Sequence, residues 1–223
     1  HGPIECLFTS DEETGLTGAM GLQPGFMTGD YLLNLDSEDE GQLFVSCAGG
    51  VRTEATFTLP EVAMPADYFA VELHIKGLTG GHSGDDINKK RGNANKILVR
   101  FIYELMGKTD VRIADIQAGG LHNAIPREAR AVIAVPAAYK EQLRVDLNLF
   151  AANVRDEFSA TEPDMLIDLG SCPTPTQCFE SEAAARLIKS LVVVHNGVFA
   201  MSQDLENFVE TSSNLASIRK EGN

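Results

Sequence analysis

The chain has 223 residues, 43% of them hydrophobic and 22% charged. That suits one large domain or one and a half ordinary ones and excludes a disordered acidic protein. The formal charge of −14 argues against a nucleic-acid or anionic-membrane surface, both of which need basic patches, and is compatible with carboxylates gathered around cations.

Cys6, Cys47, Cys172 and Cys178 show no Cys-x-x-Cys pairing, and a chain of this size needs no disulfide staple. Reduced thiols in a cytoplasmic setting are expected. No apolar run reaches the length of a membrane span and no signal peptide is visible. Residue 1 is His and an apolar run already begins at Ile4, so the sequence reads as an internal piece of a longer protein.

Ile4–Ser10 is a short apolar run of the kind expected for a strand in a covered, largely parallel sheet. It ends in Asp11-Glu12-Glu13-Thr14-Gly15. A short helix over Leu16–Leu22 follows, then a turn at Gln23-Pro24-Gly25. A second apolar run, Tyr31–Leu35, closes in Asp36-Ser37-Glu38-Asp39-Glu40. Two predicted strands therefore each deliver acids at their carboxyl ends, the edge where open α/β sheets bind ligands. Either cluster alone reads as a solvated loop. Together they suggest more, because adjacent carboxylates such as Glu12 and Glu13 stay ionised most easily beside a cation. One can hold metal while its neighbour handles a proton.

The pattern changes near Gly50, where a domain boundary is expected. Arg52–Leu59 alternates weakly. Tyr68–Leu78 alternates well, with Phe69, Val71, Leu73 and Ile75 on one face and Glu72, His74 and Lys76 on the other, as in a half-exposed antiparallel strand. His74 is most simply a surface residue. Asn93–Lys108 places Ala94, Ile97, Leu98, Phe101, Ile102, Leu105 and Met106 on one face of a helix. Val111–Gln117 and Glu128–Val135 are strands, Tyr139–Phe158 a second helix, and Met165–Leu169 a further strand. This order predicts a split βαβ, ferredoxin-like unit, an antiparallel sheet with helices on one face. Cys172–Cys178 reads as a loop, Glu180–Val194 as a third helix and Phe208–Ile218 as a last strand with the polar run Glu210–Asn214 inside it.

Between strand and helix lies Gly77–Lys96, where glycines cluster around His82. Glycines allow positive φ and close approach, so the loop either simply connects or presents a histidine. It lacks the Lys-Ser/Thr of a phosphate-binding loop. Ser83 beside His82 is no nucleophile–base pair, since sequence neighbours rarely adopt that geometry and no Gly-x-Ser-x-Gly elbow is present.

Five stretches taken in order resemble the aminoacyl-histidine dipeptidases, within the di-zinc exopeptidases that include aminoacylase, glutamate carboxypeptidase and peptidase T. They are Thr9–Gly15, the Leu35-Asp36-Ser37 corner, Cys47–Gly50, Gly80-Gly81-His82-Ser83-Gly84 with Gly92–Lys96, and Asn123-Ala124-Ile125-Pro126-Arg127-Glu128-Ala129. The resemblance spans nearly the whole chain, with Cys172–Cys178 matching loosely. It implies a strip of zinc-exopeptidase catalytic α/β domain over residues 1–50 and a lid or dimerisation domain over 51–223, incomplete at its C-terminus.

By that resemblance Glu12 is the general base, Glu13 ligates one zinc and Asp36 the other. His82 donates to the oxyanion and Asn123 holds substrate. The implied activity is zinc-dependent hydrolysis of Xaa-His and other unblocked dipeptides, with cobalt or manganese as substitute metals and a homodimer formed through the lid. The family's other zinc ligands, two histidines and a bridging aspartate, have no counterpart here, and His1, His74, His122 and His195 match none of them. Two carboxylates fall short of the four ligands zinc wants, so this polypeptide alone is expected to bind zinc weakly and hydrolyse nothing. The alternatives are a non-catalytic binding or dimerisation module, or a related aminoacylase or tripeptidase.

Overall fold

The computed structural model describes residues 2–36 and 40–221, apart from the side chains of Glu13 and Thr14. The chain divides into two compact units, His1–Val51 and Arg52–Asn223. No helix among the described residues is long and apolar enough to cross a membrane.

In the first unit the helix expected over Leu16–Leu22 forms as the single turn α2 (Thr17–Met20), and a further single turn, α1 (Glu12–Gly15), takes up the acidic stretch before it. The strands expected at Ile4–Ser10 and Tyr31–Leu35 do not form: neither run is in a strand, and Phe8 and Tyr31 are 90% and 93% exposed. An apolar run becomes a strand only where neighbours take up its N–H and C=O groups, and none of the sheet pairings involves these residues. One long-range tie is Glu5, whose carboxylate accepts from the N–H of Thr28 at 2.8 Å and from its hydroxyl. The Thr28 hydroxyl bond, then the backbone bond, hold the Glu5 carboxyl below its ordinary value.

The second unit is built around a five-stranded antiparallel sheet. Its strands in chain order are β1 (Glu61–Ala63), β2 (Tyr68–Lys76), β3 (Gly81–His82), β4 (Arg112–Gly119), β5 (Ala124–Ile125), β6 (Ala129–Pro136), β7 (Leu166–Ser171), β8 (Gln177–Phe179), β9 (Gly197–Met201), β10 (Val209–Ser213) and β11 (Ser217–Arg219). Its helices are α3 (Ala94–Met106), α4 (Lys140–Glu157) and α5 (Ser181–Val193). The main sheet runs β11-β4-β6-β2-β7, while β1 pairs with β8, β9 with β10 and β3 with β5.

Alternation decides the two faces of the sheet. Val71, Leu73 and Ile75 of β2 and Ala131, Ile133 and Val135 of β6 are buried in one core with Ile97, Leu98, Phe101, Ile102 and Leu105 of α3 and Leu143, Leu147, Phe150 and Val154 of α4. These are the residues whose spacing predicted two amphipathic helices. Phe101 and Phe150 meet at 5.1 Å between ring centroids. On the opposite face a charged ladder crosses the strands. Arg130 donates to Glu72 and to Gln117, both at 2.8 Å, and Lys76 pairs with Asp168 at 3.0 Å. His74 lies half-buried between Glu72 and Asp168 in this ladder.

Three expectations shift. Arg52–Leu59 is irregular, and the neighbouring strand is Glu61–Ala63. The Cys172–Cys178 loop ends in β8, which covers the edge of β1. The single last strand is two, β10 and β11, which pair with different partners on either side of Asn214.

Candidate functional site

The Gly77–Lys96 stretch is shaped by its glycines and clamped at its base. Gly77 has φ +76°, and a Cβ there would sit 2.3 Å from the carbonyl oxygen of Asp164. Gly81 has φ +132°, and its Cβ would fall 2.2 Å from the Asp86 carboxylate. A side chain at either position meets both strain and collision. Glu162, only 3% exposed, accepts from Thr79 N–H at 2.6 Å and from Gly92 N–H at 2.7 Å, so one buried carboxylate ties the two ends of the loop together. Arg91 donates to Gly80 O at 2.5 Å. Asp86 accepts from the backbone N–H of His82 at 2.9 Å. Lys89 above all, with His82 N–H and Arg91, holds the Asp86 carboxyl below its ordinary value.

The loop places His82 on β3, paired with Ala124 of β5. Ser83 N–H donates to Asn123 O at 2.8 Å. His82 and Asn123, separated by two core elements in sequence, thus share one two-stranded ribbon and both are exposed. His82 presents its ring, 52% exposed, off the end of the turn. Its Nδ1 accepts from Gly84 N–H at 3.2 Å, which in a neutral imidazole leaves the proton on Nε2. The Asp85 carboxylate lies 3.1 Å from the same Nδ1 and competes for it when the ring is charged, a state in which Nε2 also carries a proton. In the charged ring, and in the neutral ring whose Nδ1 accepts from Gly84, Nε2 is a donor.

A cleft of about 340 Å³ runs beside this ribbon, lined by Gly81, Gly119, Leu121, Ile125, Arg127 and Glu128 among others. A second, of about 310 Å³, shares Gly119 and Glu128 and reaches His74, Lys76 and Arg130. The side chains of His82 and Asn123 line neither.

The acids fall in the first unit. Glu12 opens α1 with its side chain exposed, and Asp36 is exposed, its N–H donating to Asn34 Oδ1 at 3.1 Å. Glu13 is the second residue of α1, and its side chain lies outside the described residues, as do Ser37, Glu38 and Asp39. Among the described residues no group of three or more His, Cys, Asp or Glu is placed to hold a metal ion. Among the described residues, then, the donors do not make a complete zinc site.

Sequence reasoning missed the supports of the ribbon. Glu162 carries no local pattern that marks it. Asn93 marks the start of a helix and belongs to the Gly92–Lys96 motif, but neither reveals its bonds: it is buried, caps α3 through Asn95 N–H and Lys96 N–H, and donates from Nδ2 to Asn196, Asn214 and Leu215. Its signal was the Asn-Ala-Asn-Lys run, in which Lys96 also reaches the last carbonyls of α5 at Leu191, Val192 and Val194. Burial lowers the Lys96 ammonium below its ordinary value.

The antiparallel sheet, with α3 and α4 on one face, is of a recognised kind: residues 73–162 match the peptidase dimerisation domain. Beyond that segment the chain is 39% identical over 215 residues to the cytosol non-specific dipeptidase of Escherichia coli (strain K12), an alignment that covers 96% of this chain and 44% of that relative. The crystal structure of aminoacylhistidine dipeptidase from Vibrio alginolyticus superposes with a TM-score of 0.81 at 37% identity, again over 96% of this chain and 44% of that one. The resemblance to the aminoacyl-histidine dipeptidases therefore extends over nearly the whole chain. The chain spans less than half the length of either relative.

Proposed function

We propose that this chain is part of a cytoplasmic metallo-dipeptidase that hydrolyses Xaa-His and other unblocked dipeptides. Residues 1–50 belong to its catalytic domain and 51–223 to its lid. The observation that carries the reading is the agreement with two dipeptidases, one in sequence and one in structure, over 96% of the chain. Glu12 takes a proton from the attacking water and returns it to the leaving amine, as a general base does. Glu13 and Asp36 are one ligand each of a two-zinc centre, cobalt or manganese serving as substitutes, and its remaining ligands lie outside this chain. Zinc, when bound, polarises the peptide carbonyl and makes water acidic enough to ionise near neutral pH. His82, with its proton on Nε2, donates to the oxyanion that forms on the carbonyl oxygen, and Asn123 beside it holds the substrate's backbone or carboxylate.

The protein that carries this chain is expected to cleave alanyl-histidine, with Glu12→Gln lowering kcat about 10²–10⁴-fold and His82→Ala about 10²–10³-fold. Full turnover by Glu12→Gln overturns the assignment. The 223-residue chain alone is expected to cleave nothing, and turnover by it, or micromolar zinc affinity in calorimetry, overturns the view that its ligand set is incomplete. The match of residues 73–162 to a dimerisation domain favours a second reading, an interaction module without chemistry. A homodimer in sedimentation with no turnover of any dipeptide by the protein that carries the chain selects that reading.

A further inference from the structure

In an antiparallel pair successive carbonyls point to opposite sides. Just before β5 the carbonyl of Asn123 turns toward the β3 side and accepts from Ser83 N–H, so that of Ala124, the residue paired with His82, turns away toward the ribbon's free edge. A two-residue pairing has little cohesion of its own, and its outer carbonyl needs a donor. Asn214 supplies it: Nδ2 donates to Ala124 O at 2.7 Å. The amide is itself held, since its Oδ1 accepts from Asn93 Nδ2 at 3.2 Å and Asn93 is locked as the cap of α3. The next residue is gripped on both sides, Leu215 N–H donating to Asn196 Oδ1 at 2.9 Å and Leu215 O accepting from Asn95 Nδ2 at 3.0 Å. Gly119 leaves room for this crossing, because a Cβ there would sit 2.0 Å from Ala216 O.

We propose that Asn214 is a positioning residue for the site ribbon: through Ala124 it fixes β5 on the frame of α3 and so sets where His82 and Asn123 present themselves to substrate. The inference rests on the proposed roles of those two residues. It makes the junction between β10 and β11, remote in sequence from every other site residue, part of the machinery that orients the oxyanion donor. An interaction realised only in the transition state acts on kcat, and a small misplacement of a positioned group can cost about 10²-fold.

The test uses the full-length, metal-loaded enzyme and the variant Asn214→Asp, which keeps size and replaces the donor to Ala124 O by a carboxylate oxygen. The expected result is a loss in kcat for alanyl-histidine of about ten- to a hundredfold, with faster hydrogen exchange at the Ser83 amide and unchanged exchange in α3. Wild-type kcat together with wild-type exchange at Ser83 overturns the proposal. So does a uniform rise in exchange across α3 and the ribbon, which marks a general structural role. If Asn214→Asp does not fold, Asn214→Ala removes the donor to Ala124 O and carries the same two readouts. His82→Ala is assayed in parallel. Full activity there defeats the reading of His82 itself, while the Ser83 exchange in Asn214→Asp still decides whether Asn214 holds the ribbon.

Discussion

Residues 31–35 and 71–75 are both short apolar-rich runs, yet only the second is a strand. Tyr31-Leu32-Leu33-Asn34-Leu35 stands exposed without a pairing partner, whereas Val71–Ile75 is paired on one side with β6 and on the other with β7. The difference is in the surroundings rather than in hydrophobicity. β2 alternates, so one face can be buried under α3 and α4 while the other joins a charged ladder, and both neighbours come from the same unit. A continuous apolar run asks for cover on two faces and for pairing on two edges, none of which the described residues of the first unit provide.

The sharpest way to break this comparison is to truncate one leucine in each run. Leu73 is fully buried in the core, so Leu73→Ala is expected to cost about 3–5 kcal/mol from the lost contacts and the cavity left behind. Leu33 is 78% exposed, and Leu33→Ala is expected to stay within about 0.5 kcal/mol. Urea denaturation followed by far-ultraviolet circular dichroism measures both. Equal costs would mean that residues 31–35 are packed in solution, and the contrast between the units would fall.

A smaller effect separates local from long-range helix support. Asn93→Ala removes the α3 cap, worth about 1 kcal/mol, and leaves Asn214 Oδ1 without the donor that Asn93 Nδ2 supplies, worth about 1–3 more. A loss of about 2–4 kcal/mol is expected, against about 1 if the side chain were only a cap. The double variant Asn93→Ala/Asn214→Ala should lose less than the sum of the two singles, since both amides belong to one network.

The same contrast explains what could be read in advance. Periodicity located α3 and α4 with their inward faces, and α5 by its extent, because each is long enough to complete two or more turns of pattern. It located β2 because that strand alternates, and β4, β6 and β7 as short apolar-rich runs between the helices. It could not find β3 and β5, which are two residues each and owe their existence to the Gly81 turn, the Glu162 clamp and Asn214. It joined β10 to β11 across Asn214, although the polar run Glu210–Asn214 inside an otherwise apolar segment was a visible sign of a break. Of the proposed site, His82 and Asn123 were legible only as motifs. Their adjacency depends on a pairing between segments separated by α3 and β4, and no local pattern encodes it.

The last comparison is between the buried and the exposed carboxylates of α4. Asp146 is 6% exposed and accepts from Tyr139 Oη at 2.7 Å, Lys108 Nζ at 2.9 Å and Gln142 Nε2 at 3.3 Å. Burial pushes its carboxyl up, but the bonds from Tyr139, Lys108 and Gln142 outweigh it and leave the group below its ordinary value. Tyr139 is pushed up to about 12, first by burial and then by its bond to Asp146. Glu141, one turn earlier, is exposed and pairs only with Arg144 at 3.2 Å, so Glu141→Gln is expected to change stability by less than about 0.5 kcal/mol at any pH. Asp146→Asn is expected to cost about 2 kcal/mol at pH 7, as for bonds to a charged acceptor. Because the folded carboxyl titrates below the unfolded one, its stabilisation is complete above the unfolded value near 4 and is lost as pH falls through the folded value. The gap between wild type and Asp146→Asn should therefore hold from pH 7 to about 5, narrow as pH falls below the unfolded value near 4, and close only below the lower folded value, where the folded wild-type side chain is itself neutral. At the other end Tyr139 keeps its proton longer when folded, so its contribution is present below pH 10 and lost between about 10 and 12; in Tyr139→Phe that alkaline loss should disappear. Urea midpoints along the acid and alkaline limbs read both effects, and a gap that does not narrow at all as pH falls below the unfolded value near 4 would show that Asp146 holds α4 by packing rather than by charge.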